Sequence, residues 1–333
     1  MHSLGWICGC LDRAARSHGS NEMNRKASRF LLVSVSLTIL VAGCSSGRFV
    51  TELPDVQKTP PVLTPSPLGP NTPAPIATLP ADRARIQLLA LLTNNGDCRL
   101  PCLWGITPGR STAQEAEAIL APLANLADHA KFTPVSGTIS LVDVQDDLII
   151  DTTVSFLADP QTASVSVVAF YAQALRRLSE GFELVLDSAL FRERTAYYSL
   201  SSILTEHGPP ESVWISTAAR PSSRYSVPGG FEVLLLYPDQ GLQIEYEAQL
   251  EVVGDNVRGC PGEAAVEMHL HPAGERSAFL QYLDATFWSQ FGPDRYRRLQ
   301  EVTQISVEEF YQTFSMATSK CIETPAILWP VPE

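Results

Sequence analysis

The chain lacks a glycine loop of the phosphate-cradling, Walker or dinucleotide type, and no serine or cysteine sits in a nucleophile elbow. Nucleotide chemistry of those kinds and triad-type acyl transfer are therefore not indicated, and neither catalysis nor a cofactor is expected. Basic residues are scarce, with 24 Lys and Arg against 36 Asp and Glu in 333 residues, a formal charge of −12. Five of the basic and two of the acidic residues fall in 1–44, so the remainder holds 19 against 34, a net −15. That balance argues against nucleic-acid binding, which needs a basic footprint, and against a polybasic membrane-surface face. Apolar runs are short: the longest, Phe30 to Val41, is a dozen residues, whereas a spanning helix needs about 20.

That run is nonetheless the most informative stretch. Arg25, Lys26 and Arg29 precede it, and Val41-Ala42-Gly43-Cys44 closes it. Basic cluster, short apolar core and small residues are the layout of an export signal. The four closing residues resemble the lipobox of bacterial lipoproteins. The resemblance implies cleavage between Gly43 and Cys44, diacylglyceryl transfer to the Cys44 thiol, and an extracytoplasmic protein anchored in a membrane by lipid. One acyl chain is a marginal anchor and two make a stable one. Residues 1–22, with Cys8 and Cys10, are expected to be a non-functional extension ahead of a start at Met23, and 23–43 the signal peptide.

Residues 44–81 are expected to form a disordered tether. From Ser45 to Ala81 there are 9 prolines in 37 residues, without helix or strand periodicity, a composition that favours extended states. The cysteines left after this region are Cys98, Cys102, Cys260 and Cys321. An even number in an exported chain suggests disulfides. The favoured pairing is Cys98–Cys102 with Cys260–Cys321; two long-range bridges between the couples are the alternative. Zinc is less favoured, because Cys-x3-Cys has no histidine at finger spacing.

Beyond the tether the pattern predicts an α+β fold in two modules, 82–198 and 199–333, each a helix followed by an antiparallel meander, with a helical C-terminal segment. Asp82 to Thr93 reads as a helix with Ile86, Leu89 and Leu92 inward, stopped at Asn94-Asn95-Gly96. Thr112 and Glu115 fit a capping box, as do Ser306 and Glu309. Pro122 is expected to end or bend the second helix. Short β runs fill 137–171 and recur at 213–216, 231–237, 242–253 and 266–271. Phe170, Ala174, Leu175 and Leu178 are spaced for a short helix stopped by Gly181. The helix-Gly-Pro-strand unit beginning near Ser199 resembles the small α+β modules of outer-membrane assembly lipoproteins and of tandem β-lactamase-inhibitor proteins. The stretch Cys98-x3-Cys102-x-Trp104-Gly-Ile-x-Pro108-Gly109 is similar to one in exported bacterial lipoproteins, which implies a compartment and no activity.

Glu267, His269 and His271 alternate on a strand, a donor set suited to Zn²⁺ or Cu²⁺; otherwise they are the solvent face of an edge strand. Asp128-His129 reads as a polar loop. His207 ends a helix, where the dipole favours a cation. Trp104, Trp214, Trp288 and Tyr237 could stack on a glycan or could belong to the core. The expected function is a binding or structural interaction module of the cell envelope, held in the membrane through Cys44, with another envelope protein as the candidate partner. Glycan or small-molecule capture is the alternative, with a metal-dependent hydrolase behind it.

Overall fold

The computed structural model describes residues 77–329 except 180, 186–187, 218–229, 262–264, 290–294 and 317–319. The leader, Gly43, Cys44 and the tether up to 76 lie outside the described residues. No helix among those described is long and apolar enough to cross a membrane.

The fold is mixed helix and antiparallel sheet. Its strands are β1 (Ala127–Thr133), β2 (Ser136–Gln145), β3 (Leu148–Ala158), β4 (Val165–Leu178), β5 (Gly181–Leu184), β6 (Ser212–Ser216), β7 (Gly230–Tyr237), β8 (Leu242–Val253), β9 (Asn256–Gly259), β10 (Ala265–Leu270), β11 (Arg297–Arg298) and β12 (Ile322–Pro325). They join in the order β1-β2-β3-β4-β10-β8-β7-β6-β11; β5 adds to β4, while β9 links β8 to β12. The sheet is continuous across position 199, because β10 inserts between β4 and β8. After the last helix the chain returns to strand in β12.

Helices α1 (Ala81–Asn94), α2 (Ala113–Leu120), α3 (Ala189–Arg194), α4 (Leu200–His207) and α7 (Val307–Phe314) contribute to the main core, on one face of the sheet. Strand alternation supplies the other half of that core: Val154, Phe170, Val233, Ile244 and Met268 all point the same way and are fully buried. The expected α1 stripe is rotated. Ala84, Leu88, Leu91 and Leu92 face inward, whereas Ile86 is 69% exposed. The reason is geometric: 84, 88, 91 and 92 follow the i, i+4, i+7, i+8 spacing of a single helical face, and Ile86 lies off it. Asn95 in the left-handed region ends α1.

Both expected capping boxes form. Glu115 N–H donates to Thr112 Oγ1 at 3.2 Å while Thr112 N–H donates to Glu115 Oε2 at 2.8 Å, and Ser306 with Glu309 repeats the arrangement. Pro122 sits in the 3-10 turn Ala121–Leu126 that follows α2.

Three local expectations need correcting. Phe170 to Leu178 is the continuation of strand β4, not a helix; Ala172 and Ala174 are buried between β3 and the neighbouring strands, and Gly181 at φ 102° makes the turn into β5. Asp128 and His129 lie on edge strand β1, exposed, instead of in a loop. Strand β10 is central, not an edge.

A second, smaller cluster lies on the opposite sheet face. There α5 (Arg276–Tyr282), continued by the π turn Leu283–Trp288, sets Phe279, Leu283 and Phe287 on Leu234 and Leu236. The single turn α6 (Leu299–Val302) follows β11.

Candidate functional site

On this second face, strict alternation places polar side chains where the first face has core. Even positions of β8 are buried in the main core, so Gln243, Glu245 and Glu247 point the other way. Pairing sets Glu267 beside both Glu245 and Tyr171, His269 beside Gln243, and Glu247 beside Glu232. Four carboxyl groups from three neighbouring strands thus share one strip. The Leu234–Phe287 cluster borders it on one side; a small cluster of Ile149, Leu175, Leu184 and Ala265 borders it on the other.

Two residues following 294 reach into this strip. Arg295 forms a salt bridge with Glu232. The Tyr296 hydroxyl lies 2.8 Å from Glu232 Oε2 and 3.1 Å from Glu245 Oε1. A phenol has one proton and can donate it to one carboxylate at a time. Arg295 already pairs with Glu232, while burial favours the protonated form of Glu245, which can return a hydrogen bond to the phenol. The Glu245 carboxyl is held well above the usual range, first by burial and then by the charges of Glu232 and Glu267. Glu247 is pushed up to about 7 by burial and by the same two neighbours.

Glu267 behaves differently. Burial pulls it upward, but the bond from His269 Nε2 at 2.9 Å and the His269 charge outweigh that and leave it below the ordinary value. Its side chain is 46% exposed, which opens this end of the strip to solvent. His269 Nδ1 lies 3.2 Å from the Tyr282 hydroxyl of α5.

The residues singled out from sequence separate here. Glu267 and His269 do meet. His271 is buried against Tyr282 (4.3 Å between ring centroids) and Phe279 (5.2 Å), and burial lowers its pKa to about 3. No group of three or more His, Cys, Asp or Glu able to hold a metal is found among the described residues. His207 is buried at the end of α4; its Nδ1 bonds Gln240 Oε1 at 2.7 Å, and burial lowers its pKa, so the expected cation there is a neutral ring.

Trp104 and Tyr237 belong to the main core. Trp214 and Trp288 are half-buried, 5.0 Å apart, and border the acidic strip through Tyr296, which is 6.0 Å from Trp288. Cys98 pairs with Cys102 and Cys260 with Cys321. A shallow cleft of about 540 Å³ opens by Gly105, Thr107, Arg110 and Ser111, but its carboxylate, Glu115, is engaged in the α2 capping box.

Reading the chain by itself passes over Glu232, Glu245, Glu247 and Arg295. The available signal was the alternation in Leu242-Gln-Ile-Glu-Tyr-Glu-Ala248, an apolar and polar face in strict succession. No family model, curated protein or solved structure matches this chain.

Proposed function

We propose that the protein is an extracytoplasmic binding or interaction module of the cell envelope, anchored in the membrane by lipid on Cys44 and lifted from it by the 44–81 tether. On this reading 1–22 are not part of the mature chain, 23–43 are a cleaved signal peptide, and the polar sheet face is the side that meets a partner. The observation that carries it is the pairing of all four cysteines of the described body in two disulfides. Such bonds persist in oxidising compartments outside the cytosol, in keeping with the lipobox-like Val41-Ala42-Gly43-Cys44. The recurrence of helix, turn and meander supports a finer reading, that 82–198 and 199–333 are two related modules sharing one sheet and that helices dominate the C-terminal segment.

Mass spectrometry of the chain extracted from membranes tests the anchor. The expected product starts at a diacylated Cys44, and Cys44→Ser moves the protein into the soluble fraction. An unmodified, internal Cys44 in a cytosolic product would overturn the proposal.

Glycan capture is a second reading, favoured by one observation: the half-buried Trp214–Trp288 pair beside the carboxyl strip. Aromatic faces flanked by hydrogen-bonding groups suit sugars. A thermal-shift screen with oligosaccharides that produces no stabilisation, together with unchanged Trp fluorescence, would dismiss it.

A further inference from the structure

Of the two bridges, Cys98–Cys102 adds little that the chain does not already hold. It closes a loop with a sequence separation of only 4, against 61 for Cys260–Cys321, and short loops lose little unfolded-state entropy on closure. Other bonds set the native position of both cysteines. Asn95 Nδ2 donates to Cys98 O at 2.6 Å and to Cys102 O at 2.8 Å. Cys102 N–H donates to Arg99 O at 3.0 Å, and Leu103 and Ile106 exchange backbone bonds at 2.9 and 2.8 Å. None of these involves a sulfur, so the backbone that carries the two thiols keeps its ties when the S–S bond opens. Cys260 and Cys321 join segments remote in sequence, next to the Gly259–Ile322 pair that ends the β9–β12 ladder.

The two sulfurs of the short bridge are also unequal. Both cysteines are half-buried and flanked by exposed Asp97, Arg99 and Gly105, which leaves the bridge within reach of solvent. Cys98 Sγ accepts the Gly105 N–H at 3.3 Å. Gly105 takes the left-handed backbone, φ 93°, that turns this donor onto the sulfur. Among the described residues no such donor meets Cys102 Sγ. A hydrogen bond to sulfur favours the thiolate, and the thiol of lower pKa is the better leaving group.

From this asymmetry we infer that Cys98–Cys102 is a thiol–disulfide exchange site that takes two electrons from the dithiol of a partner protein. A thiolate of the partner attacks Cys102 Sγ; the Cys98–Cys102 bond breaks, and Cys98 leaves as the thiolate held by the Gly105 N–H. The partner's second thiolate then attacks the partner sulfur of the mixed disulfide, which releases Cys102 as a thiolate. The partner is oxidised to its disulfide, and Cys98 and Cys102 end as thiols after taking up the two protons that the partner gave up. This activity goes beyond the interaction reading and is independent of the anchor at Cys44.

Dithiothreitol serves as the dithiol probe. The folded full chain in detergent is exposed to it for graded times, quenched with acid and alkylated, and mass spectrometry assigns each label to its cysteine. Cys98 and Cys102 are expected to open about tenfold faster than Cys260 and Cys321, with the near-ultraviolet circular dichroism spectrum retained. Reduced glutathione, a monothiol that stops at the first step, is expected on Cys102. A synthetic peptide with two thiols should be converted to its disulfide, one peptide per chain, and the Cys98→Ser/Cys102→Ser double variant should lose that conversion while keeping the spectrum. If the double variant does not fold, the time course and the position of glutathione on the unmutated chain decide. Opening of both bridges at one rate with loss of the spectrum, glutathione on Cys98, or no conversion of the peptide by the unmutated chain overturns the inference.

Discussion

Two buried polar networks in this protein are built on opposite terms. The first surrounds Asn95, fully buried where α1 ends. Its Nδ2 donates to Cys98 O at 2.6 Å and Cys102 O at 2.8 Å; its Oδ1 accepts from Trp104 N–H at 3.1 Å and the Tyr198 hydroxyl at 3.2 Å. Trp104 Nε1 then donates to the Tyr198 hydroxyl at 2.9 Å. Every group is neutral and partnered, and the aromatic rings pack on Phe170. The second network is the acidic strip, where four carboxyl groups have Arg295 and His269 beside them and Gln243 Oε1 has no partner. Satisfied networks of the first kind fix a single structure. A buried cluster of like charges does not stabilise the fold, and its retention is better explained by something it does.

The sharpest way to break this contrast is through the covalent ties near the first network and in the second half. Removing the Cys260–Cys321 bridge with paired Cys→Ser changes frees a loop with a sequence separation of 61. In the chain-entropy model that costs about 4 kcal/mol, readable in urea denaturation. Asn95→Ala comes next. It leaves Trp104 N–H, Cys98 O and Cys102 O without their buried partner, for an expected loss of about 3 kcal/mol. If Asn95→Ala instead costs under about 1 kcal/mol, the hub is not the fixed point proposed for it.

How much of this was legible beforehand differs between the two networks for a physical reason. The α1 stop at Asn95, both capping boxes and the favoured cysteine pairing follow from local rules, since each joins residues close in sequence or few in number. The second half of β4 is ambiguous in sequence because Phe170, Ala174, Leu175 and Leu178 satisfy a helical period as well as a strand's, and only the pairing with β3 and β10 decides. The acidic strip was invisible for a stronger reason. Glu232, Glu245 and Glu267 come together because β10 inserts beside β8, a long-range pairing with no local signal. His271 was grouped with His269 by alternation, yet the helix covering that face buries it among aromatics. The Cys44 anchor lies outside the described residues and stands as a proposal.

The pH dependence of stability sharpens the comparison next. Glu247 has a folded pKa of about 7, above its ordinary 4.5. A carboxyl raised on folding binds its proton more tightly in the native state, so stability is fully present below the unfolded value and declines as pH climbs toward the folded one. The window is therefore about pH 4.5 to 7. For a partly solvated group the decline amounts to about 2 kcal/mol. Glu247→Gln should flatten that part of the profile in chemical denaturation measured from pH 4 to 8. The Asn95 hub has no titrating group in this range, so Asn95→Ala should lower the whole curve without changing its slope across this window. A profile whose slope between pH 4.5 and 7 is the same with and without Glu247 would remove the charge argument.

The smallest expected effect is the most discriminating. Glu245→Gln replaces a protonated acid with a neutral amide of the same shape, which can still meet Tyr296. Because Glu245 already holds its proton, with burial as the first cause, the exchange should alter stability by less than about 1 kcal/mol near pH 7 and become favourable above it, where the acid would have to ionise. A loss of more than about 2 kcal/mol would mean that Glu245 is ionised and paired in the native state. The strip would then be a structural network like the one at Asn95, and the case for it as a binding face would lose its physical basis.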